Sequence, residues 1–121
     1  MSSLPAEFAV EDAPLGAVPG VRLHGELDLH TAPLLTDTLD DIVRVTEGAL
    51  VIDLVDVDFL DSSTIAVLMH ARALLAREDR DLVLVCPHGP IRRVFELTGV
   101  SDLFALFRSR GAAEEALVPV D

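Results

Sequence analysis

Residues 49–68 read ALVIDLVDVDFLDSSTIAVL, and the predicted fold depends on how the pattern of apolar residues changes along them. Residues 49–54 are almost continuously apolar, which is typical of a parallel strand covered by helices. Residues 55–61 form an acidic connection, and a helix is predicted from Ser62 to about Arg77. The stretch therefore predicts a buried strand and a helix with a polar junction between them.

The sequence on either side repeats this alternation of strands and helices. Upstream, Val21 and Leu23 alternate with polar residues as a half-buried strand that ends at Gly25, and a helix with Thr31 as its N-cap stops at Gly48. Downstream, a strand, a helix, a short strand and a last helix are predicted at residues 82–86, 90–99, 103–107 and from about 112.

Elements in this order predict an α/β fold built as a single domain. Crossover connections imply a mixed, mainly parallel β-sheet of four to five strands, packed with about four helices. The first two strands are suited to an antiparallel hairpin at one side of that sheet. Residues 1–20 are rich in proline and glycine and are predicted to be an irregular N-terminal arm with a short strand at Phe8 to Val10. Residues 21–121 form the predicted domain.

The composition argues against several classes of function. Of the 121 residues, 50% are hydrophobic and 25% are charged, as in an ordinary globular protein. The 21 acidic residues face nine basic ones, all arginine, so the net charge of −12 disfavours nucleic acid and anionic membranes as partners. The single Cys86 cannot form an intrachain disulfide, and no signal segment or long apolar span is apparent, so a cytoplasmic protein is expected.

The polar junction before the second helix holds the candidate site. In α/β sheets, ligands and partners are commonly met at the carboxyl ends of the strands, where helix N-termini gather. Asp61 is suited to cap the helix while Ser62 and Ser63 fill its first turn, which is a structural role without chemistry. The same position is also suited to contact with a partner, so both interpretations stay open on these residues.

Catalysis and metal binding are disfavoured. A serine hydrolase would need a Gly-x-Ser-x-Gly motif, which is missing around Ser62, and the four histidines are scattered. Asp53, Asp56, Asp58 and Asp61 lack the glycine and glutamate of a calcium loop, and strand alternation would separate them. No glycine-rich phosphate loop occurs in the sequence. We therefore expect no enzyme activity, no metal and no cofactor.

Three blocks of sequence carry a resemblance to a known family. The central block is the apolar and acidic strand that leads into Asp61-Ser62-Ser63, where the family has Asp-Ser-Ser-Gly. The other two are Gly25-Glu26-Leu27-Asp28 with Thr31-Ala32, and the segment from Val85-Cys86-Pro87 to Ile91-Arg92-Arg93-Val94-Phe95-Glu96-Leu97-Thr98-Gly99-Val100. Together they span residues 21–107 and resemble the STAS domains of bacterial anti-sigma factor antagonists. By this resemblance, residues 21–121 are a STAS domain.

The resemblance implies a phosphorylation-controlled switch that has no reaction of its own. It implies that Ser62 is phosphorylated by a partner that is both anti-sigma factor and serine kinase, and that a separate serine phosphatase restores the hydroxyl. The unphosphorylated form would bind this partner and release a sigma factor. The implied contact residues are Asp28, Asp61, Ser62, Ser63 and Thr64. The alternative is a STAS module that serves, without phosphorylation, as an interaction subunit of a transport, lipid-trafficking or stress-signalling complex.

Thr64 departs from the family pattern, which has glycine at this position. A β-branched residue adds a methyl and a hydroxyl where a partner's backbone or a nucleotide phosphate would approach. The departure leaves Ser63 and Thr64 as alternative acceptors to Ser62. The helix that follows is apolar almost all round, so we expect it either to be wedged between the sheet and its neighbours or to expose a docking patch.

Overall fold

The computed structural model describes residues 8–117 of the chain. In chain order the elements are β1 (Phe8–Asp12), β2 (Gly20–Leu27), α1 (Ala32–Val45), β3 (Leu50–Leu60), α2 (Ser62–Ala76), β4 (Leu82–Val85), α3 (Pro90–Leu97), a 3-10 helix (Ser101–Leu103), β5 (Ala105–Phe107) and α4 (Arg110–Leu117). Residues 1–7 of the predicted arm and residues 118–121 lie outside the described residues. None of the helices described between residues 8 and 117 combines the length and apolar character needed to cross a membrane.

The strands form one sheet of five, in the order β1-β2-β3-β4-β5. β1 pairs with β2 antiparallel, and the other neighbouring pairs are parallel. The predicted α/β fold, with a mixed and mainly parallel sheet packed with four helices, is confirmed. β1 and the turn after it also belong to this unit, since Leu15 is buried against the sheet.

The two faces of the sheet are covered differently. On one face, which we call the inner face, α1, α2 and α3 pack in a large core that includes Leu35, Ile52 and Phe95. This follows from the strand order, because consecutive right-handed crossovers between neighbouring parallel strands place their helices on the same side. The opposite, outer face carries a smaller cluster in which Val83 of β4 meets Ala113 of α4.

The junction differs from the prediction because β3 is longer than its apolar run. The strand continues past Leu54 to Leu60, since Val57 and Leu60 return to the core. β2 likewise continues through Gly25 and pairs with this extension. The predictions that residues 55–61 are a connection and that Gly25 ends β2 were wrong. Two shifts of register, which act as β-bulges, allow both strands to continue.

A buried carboxylate that pairs with two partly exposed arginines joins α4 and the β1–β2 turn to the middle of β3. Asp53 faces the outer side and is 0% exposed. Its Oδ2 accepts hydrogen bonds from Arg22 Nε at 3.3 Å and Arg110 Nη1 at 3.2 Å, and its Oδ1 accepts one from Val55 N at 2.9 Å. Arg110 Nη2 also donates to the Pro14 carbonyl at 2.8 Å. This carboxylate is therefore an internal anchor of the fold.

Candidate functional site

The junction between β3 and α2 is held by the side chain of Asp61. This residue is the N-cap of α2, and its Oδ1 accepts hydrogen bonds from Ser63 N at 3.0 Å and Thr64 N at 3.3 Å. The Ser63 hydroxyl donates to the same oxygen. Partial burial raises the pKa of Asp61, but these hydrogen bonds outweigh burial and hold the pKa below its usual value. Asp61 is therefore an ionised cap that satisfies the first donors of the helix.

A second acidic turn, between β2 and α1, lies beside Asp61. Asp28 N donates to Thr31 Oγ1 at 3.0 Å, and Thr31 N donates back to Asp28 Oδ1 at 3.1 Å. The two turns are joined by a hydrogen bond of 3.2 Å from Asp61 N to the Leu27 carbonyl. An open depression at this edge of the sheet is lined by Asp28, Leu29, His30 and Asp61.

The hydroxyl of Ser62 is the unengaged one at this edge. Ser62 is exposed at the first position of α2. Its neighbour Ser63 is half-buried, and its hydroxyl is held by Asp61. Within the described residues, the hydrogen bonds of the junction leave the Ser62 side chain without a partner. The structure thus brings Asp28, Asp61, Ser62 and Ser63 to one edge, with Ser62 facing solvent.

Thr64, which the sequence places among the contact residues, lies elsewhere. Its side chain is 0% exposed, and its Oγ1 has no hydrogen-bond partner in the described part of the chain. The third residue of α2 points toward the core, so in this conformation Thr64 cannot touch a partner or accept a phosphoryl group. The structure removes it from the predicted contact residues. Because the methyl and hydroxyl groups of Thr64 are buried, they do not obstruct the surface around Ser62.

We expect Thr64→Val to stabilise the protein by about 1 kcal/mol, because valine keeps the shape and removes a buried hydroxyl that has no partner. Thr31→Val is the matched control. Thr31 is also buried, but its hydroxyl donates to the Asp28 carbonyl at 3.2 Å and accepts from Asp28 N. That variant should lose about 1–2 kcal/mol. Urea unfolding measures both changes, and a Thr64→Val protein less stable than wild type would contradict this account.

Apolar side chains are exposed on the loop and on the two helices that begin at this edge, and the sequence pattern did not indicate them. Leu29 is 75% exposed in the loop beside Asp61, and Leu34 is exposed in the first turn of α1. α2 is wedged against α1 and the sheet, as one of the two expectations has it, yet Met69 is exposed on its free side. Apolar groups next to polar ones in this way are typical of protein-binding surfaces. A leucine at the tip of an acidic turn is the sequence signal that could have indicated this surface.

Comparison with known protein families shows which family this chain belongs to. The profile of the STAS domain matches residues 15–113. The chain therefore belongs to the STAS domain family, as the resemblance of the three sequence blocks predicts.

Several similar proteins are named anti-sigma factor antagonists. The chain is 34% identical over 88 residues to the anti-sigma-B factor antagonist of Listeria monocytogenes, which covers 72% of this chain and 76% of that protein. It is 29% identical over 83 residues to the protein of the same name from Staphylococcus aureus, over 69% of this chain and 77% of that protein. A solved structure of an anti-sigma factor antagonist from Mycobacterium paratuberculosis is 30% identical, with a TM-score of 0.83 over 96% of this chain and 98% of that one.

The fold is also that of a more distant protein, the anti-sigma factor antagonist SpoIIAA. Its unphosphorylated form matches with a TM-score of 0.72 at 19% identity, over 94% of this chain and 99% of that one. At that identity the match shows the fold alone.

Proposed function

We propose that this chain is an anti-sigma factor antagonist that works as a phosphorylation-controlled switch. Its unphosphorylated form binds an anti-sigma factor that is also a serine kinase, and this binding releases a sigma factor. The proposal is supported by relatives of that name, one of whose structures matches almost the whole chain. The observation that carries the proposed mechanism is the exposed, unengaged hydroxyl of Ser62 at the start of α2.

Ser62 is the proposed phosphoacceptor because its neighbours are occupied or enclosed. The Ser63 hydroxyl donates to Asp61 Oδ1, so a phosphoryl group on Ser63 would replace a hydrogen bond of the helix cap with repulsion from an ionised carboxylate. Thr64 is enclosed in the core. A kinase can reach the Ser62 oxygen without disturbing either the cap or the packing.

The proposed contact surface consists of Asp28, Asp61, Ser62 and Ser63, together with the exposed Leu29. The two aspartates receive their hydrogen bonds from backbone N–H and hydroxyl groups. Their negative charge is therefore available to a cationic side chain of the partner, while Leu29 offers apolar area next to it.

Phosphorylation would act on the interface and leave the fold intact. Phosphoserine adds about −1.5 to −2 charge at neutral pH. Because Asp61 already accepts the N–H groups of Ser63 and Thr64, a phosphate on Ser62 finds those donors taken. It must remain in water beside two carboxylates, and a partner that covered it would have to desolvate a dianion, which costs several kcal/mol if no counter-charge is supplied.

The first test is intact-mass spectrometry with the anti-sigma factor kinase and ATP. The wild-type chain is expected to gain about 80 Da, the mass of one phosphoryl group, and treatment with a serine phosphatase should remove it. Ser62→Ala should show no gain, whereas the matched control Ser63→Ala should still be modified. A gain that persists in Ser62→Ala and disappears in Ser63→Ala would show that Ser63, and not Ser62, is the acceptor. No gain in any form, with a kinase active on another substrate, would favour the non-phosphorylated interaction subunit.

A further inference from the structure

Among residues 8–117, no helix lies against part of the outer face of the sheet. α4 lies against β4 and β5, and the β1–β2 turn covers Val51 through Leu15. The carboxyl halves of β2 and β3 extend beyond this cover, since β4 pairs with β3 only from Leu50 to Asp53. The described part of the chain therefore leaves a surface of these strands open at the same end of the sheet as Ser62.

Two apolar residues of β3 are exposed there. Val55 is 47% exposed and Phe59 is 48% exposed. A solvated sheet face normally carries polar side chains at its outward positions, so an aromatic ring exposed to this extent needs an explanation. The register of β3 explains the geometry. One shift falls between the pairs Arg22↔Asp53 and His24↔Asp56, where β3 has one residue more than β2, and both Val55 and Asp56 are exposed there. β-Bulges of this kind re-aim side chains and are frequent beside functional sites.

The second shift has a direct effect on Phe59. It falls between the pairs Gly25↔Val57 and Glu26↔Phe59, so that Phe59 faces outward while Val57 and Leu60 remain buried. The ring therefore stands opposite Glu26, which is itself exposed. We use the name outer patch for the exposed side chains Glu26, Val55, Asp56 and Phe59.

The charge around these apolar groups is negative. Asp56 Oδ2 lies 3.8 Å from Arg22 Nη1 and 3.6 Å from His24 Nδ1, and His24 Nε2 lies 2.8 Å from Glu11 Oε1. Arg22 also pairs with the buried Asp53, so its positive charge does not fully neutralise the charge of Asp56. With Glu26 added, the outer patch favours a partner surface that brings lysine or arginine around an apolar side chain.

We propose that the outer patch is a second contact for the anti-sigma factor that docks at Ser62, and that it receives a basic segment of that partner with an apolar residue over Phe59. The inference rests on the proposed function. One residue pair, Leu27↔Leu60, separates the Glu26↔Phe59 pair from Asp28 and Asp61. At roughly 3.3 Å per residue, the two surfaces are about 7 Å apart along the strands. A typical interface of about 800 Å² per partner is large enough to cover the outer patch and the surface around Ser62 together.

The test measures binding of unphosphorylated variants to the kinase that modifies Ser62 in the mass experiment. Phe59→Ala is expected to weaken binding about tenfold or more, mainly through faster dissociation, as aromatic anchors do. Leu97→Ala is the matched control, since Leu97 is exposed on α3, away from both surfaces. Glu26→Arg reverses a charge on an exposed residue without touching the core. It should slow association several-fold at low salt, and the effect should fade as salt is added.

The outcomes separate the inference from the proposed function. If Phe59→Ala and Glu26→Arg bind as wild type does while Ser62→Asp binds about tenfold or more weakly, the outer patch is no contact and the proposed function stands. If the unphosphorylated wild-type chain fails to bind the kinase, the proposed function fails and the inference fails with it. Because about half of the Phe59 side chain is covered, the melting temperature of Phe59→Ala is measured in parallel. If Phe59→Ala proves unstable, the binding of Glu26→Arg decides whether the outer patch is a contact.

Discussion

Replacement of Asp53 with alanine is expected to lower the free energy of unfolding by about 3 kcal/mol, the lower end of the range seen when one partner of a buried ion pair is removed, because the side chains of Arg22 and Arg110 stay 28% and 30% exposed. The Asp53 carboxylate is fully enclosed, and it lies between the guanidinium groups of Arg22 and Arg110. Without it, two cations would face each other at the centre of the outer face. The link from α4 through Arg110 to the middle of the sheet would also be lost.

Urea unfolding of Asp53→Ala measures this loss, and Asp56→Ala is the matched control on the same strand. Asp56 is exposed and lies 3.8 Å from Arg22, so its removal should cost no more than about 1 kcal/mol. Hydrogen exchange should show faster opening of α4 in Asp53→Ala, because that helix otherwise depends on a small apolar cluster. A loss below about 1 kcal/mol would show that the carboxylate does not anchor the fold.

The strength of this anchor could not have been predicted from the sequence. The alternation of strands and helices was readable because buried parallel strands are apolar runs, as in residues 49–54. Asp53 interrupts that run, and its partners are 31 and 57 residues away along the chain. Only the folded register brings them together. The sequence therefore placed Asp53 in a buried strand but gave no sign of the two arginines that pair with it.

The length of β3 was mispredicted for a related reason. Period-two alternation is the pattern by which a half-buried strand is recognised, and each bulge shifts that pattern by one residue. Residues 55–61 contain two such shifts, so their apolar residues do not alternate regularly and the segment resembles a connection. The same shifts expose Phe59, which explains why the sequence pattern did not indicate that this residue lies on the surface.

The candidate site was predictable in part. The helix cap at Asp61 follows from a local preference, since a carboxylate before two hydroxyl residues is typical of an N-cap. The difference between Ser62, exposed, and Thr64, enclosed, depends instead on which side of α2 faces the sheet. A helix that is apolar almost all round gives little indication of its buried side, so this difference needed the packed structure.

Phosphorylation of Ser62 is expected to weaken binding to the anti-sigma factor by about a hundredfold or more, which corresponds to about 2.7 kcal/mol or more. Ser62→Asp adds a single charge rather than about −1.5 to −2, so its expected effect is smaller, about tenfold or more. The melting temperature should hardly change in either case, because the Ser62 side chain is exposed and takes no part in the cap. Isothermal titration with the unmodified, phosphorylated and Ser62→Asp forms measures the affinities.

The matched control for this charge is Ser109→Asp. Ser109 is exposed beside the first turn of α4, where its Oγ accepts a hydrogen bond from Ala112 N at 3.1 Å, so an aspartate there also sits at a helix N-terminus. It carries the same added charge away from Asp28 and Asp61, and it should bind the partner as wild type does. Equal weakening by both variants would mean that the net charge of the chain, already −12, opposes association, and that the position of the added charge at Ser62 does not matter. Wild-type affinity of the phosphorylated protein would exclude the switch, and a large loss of stability in Ser62→Asp would show that Ser62 supports the helix instead.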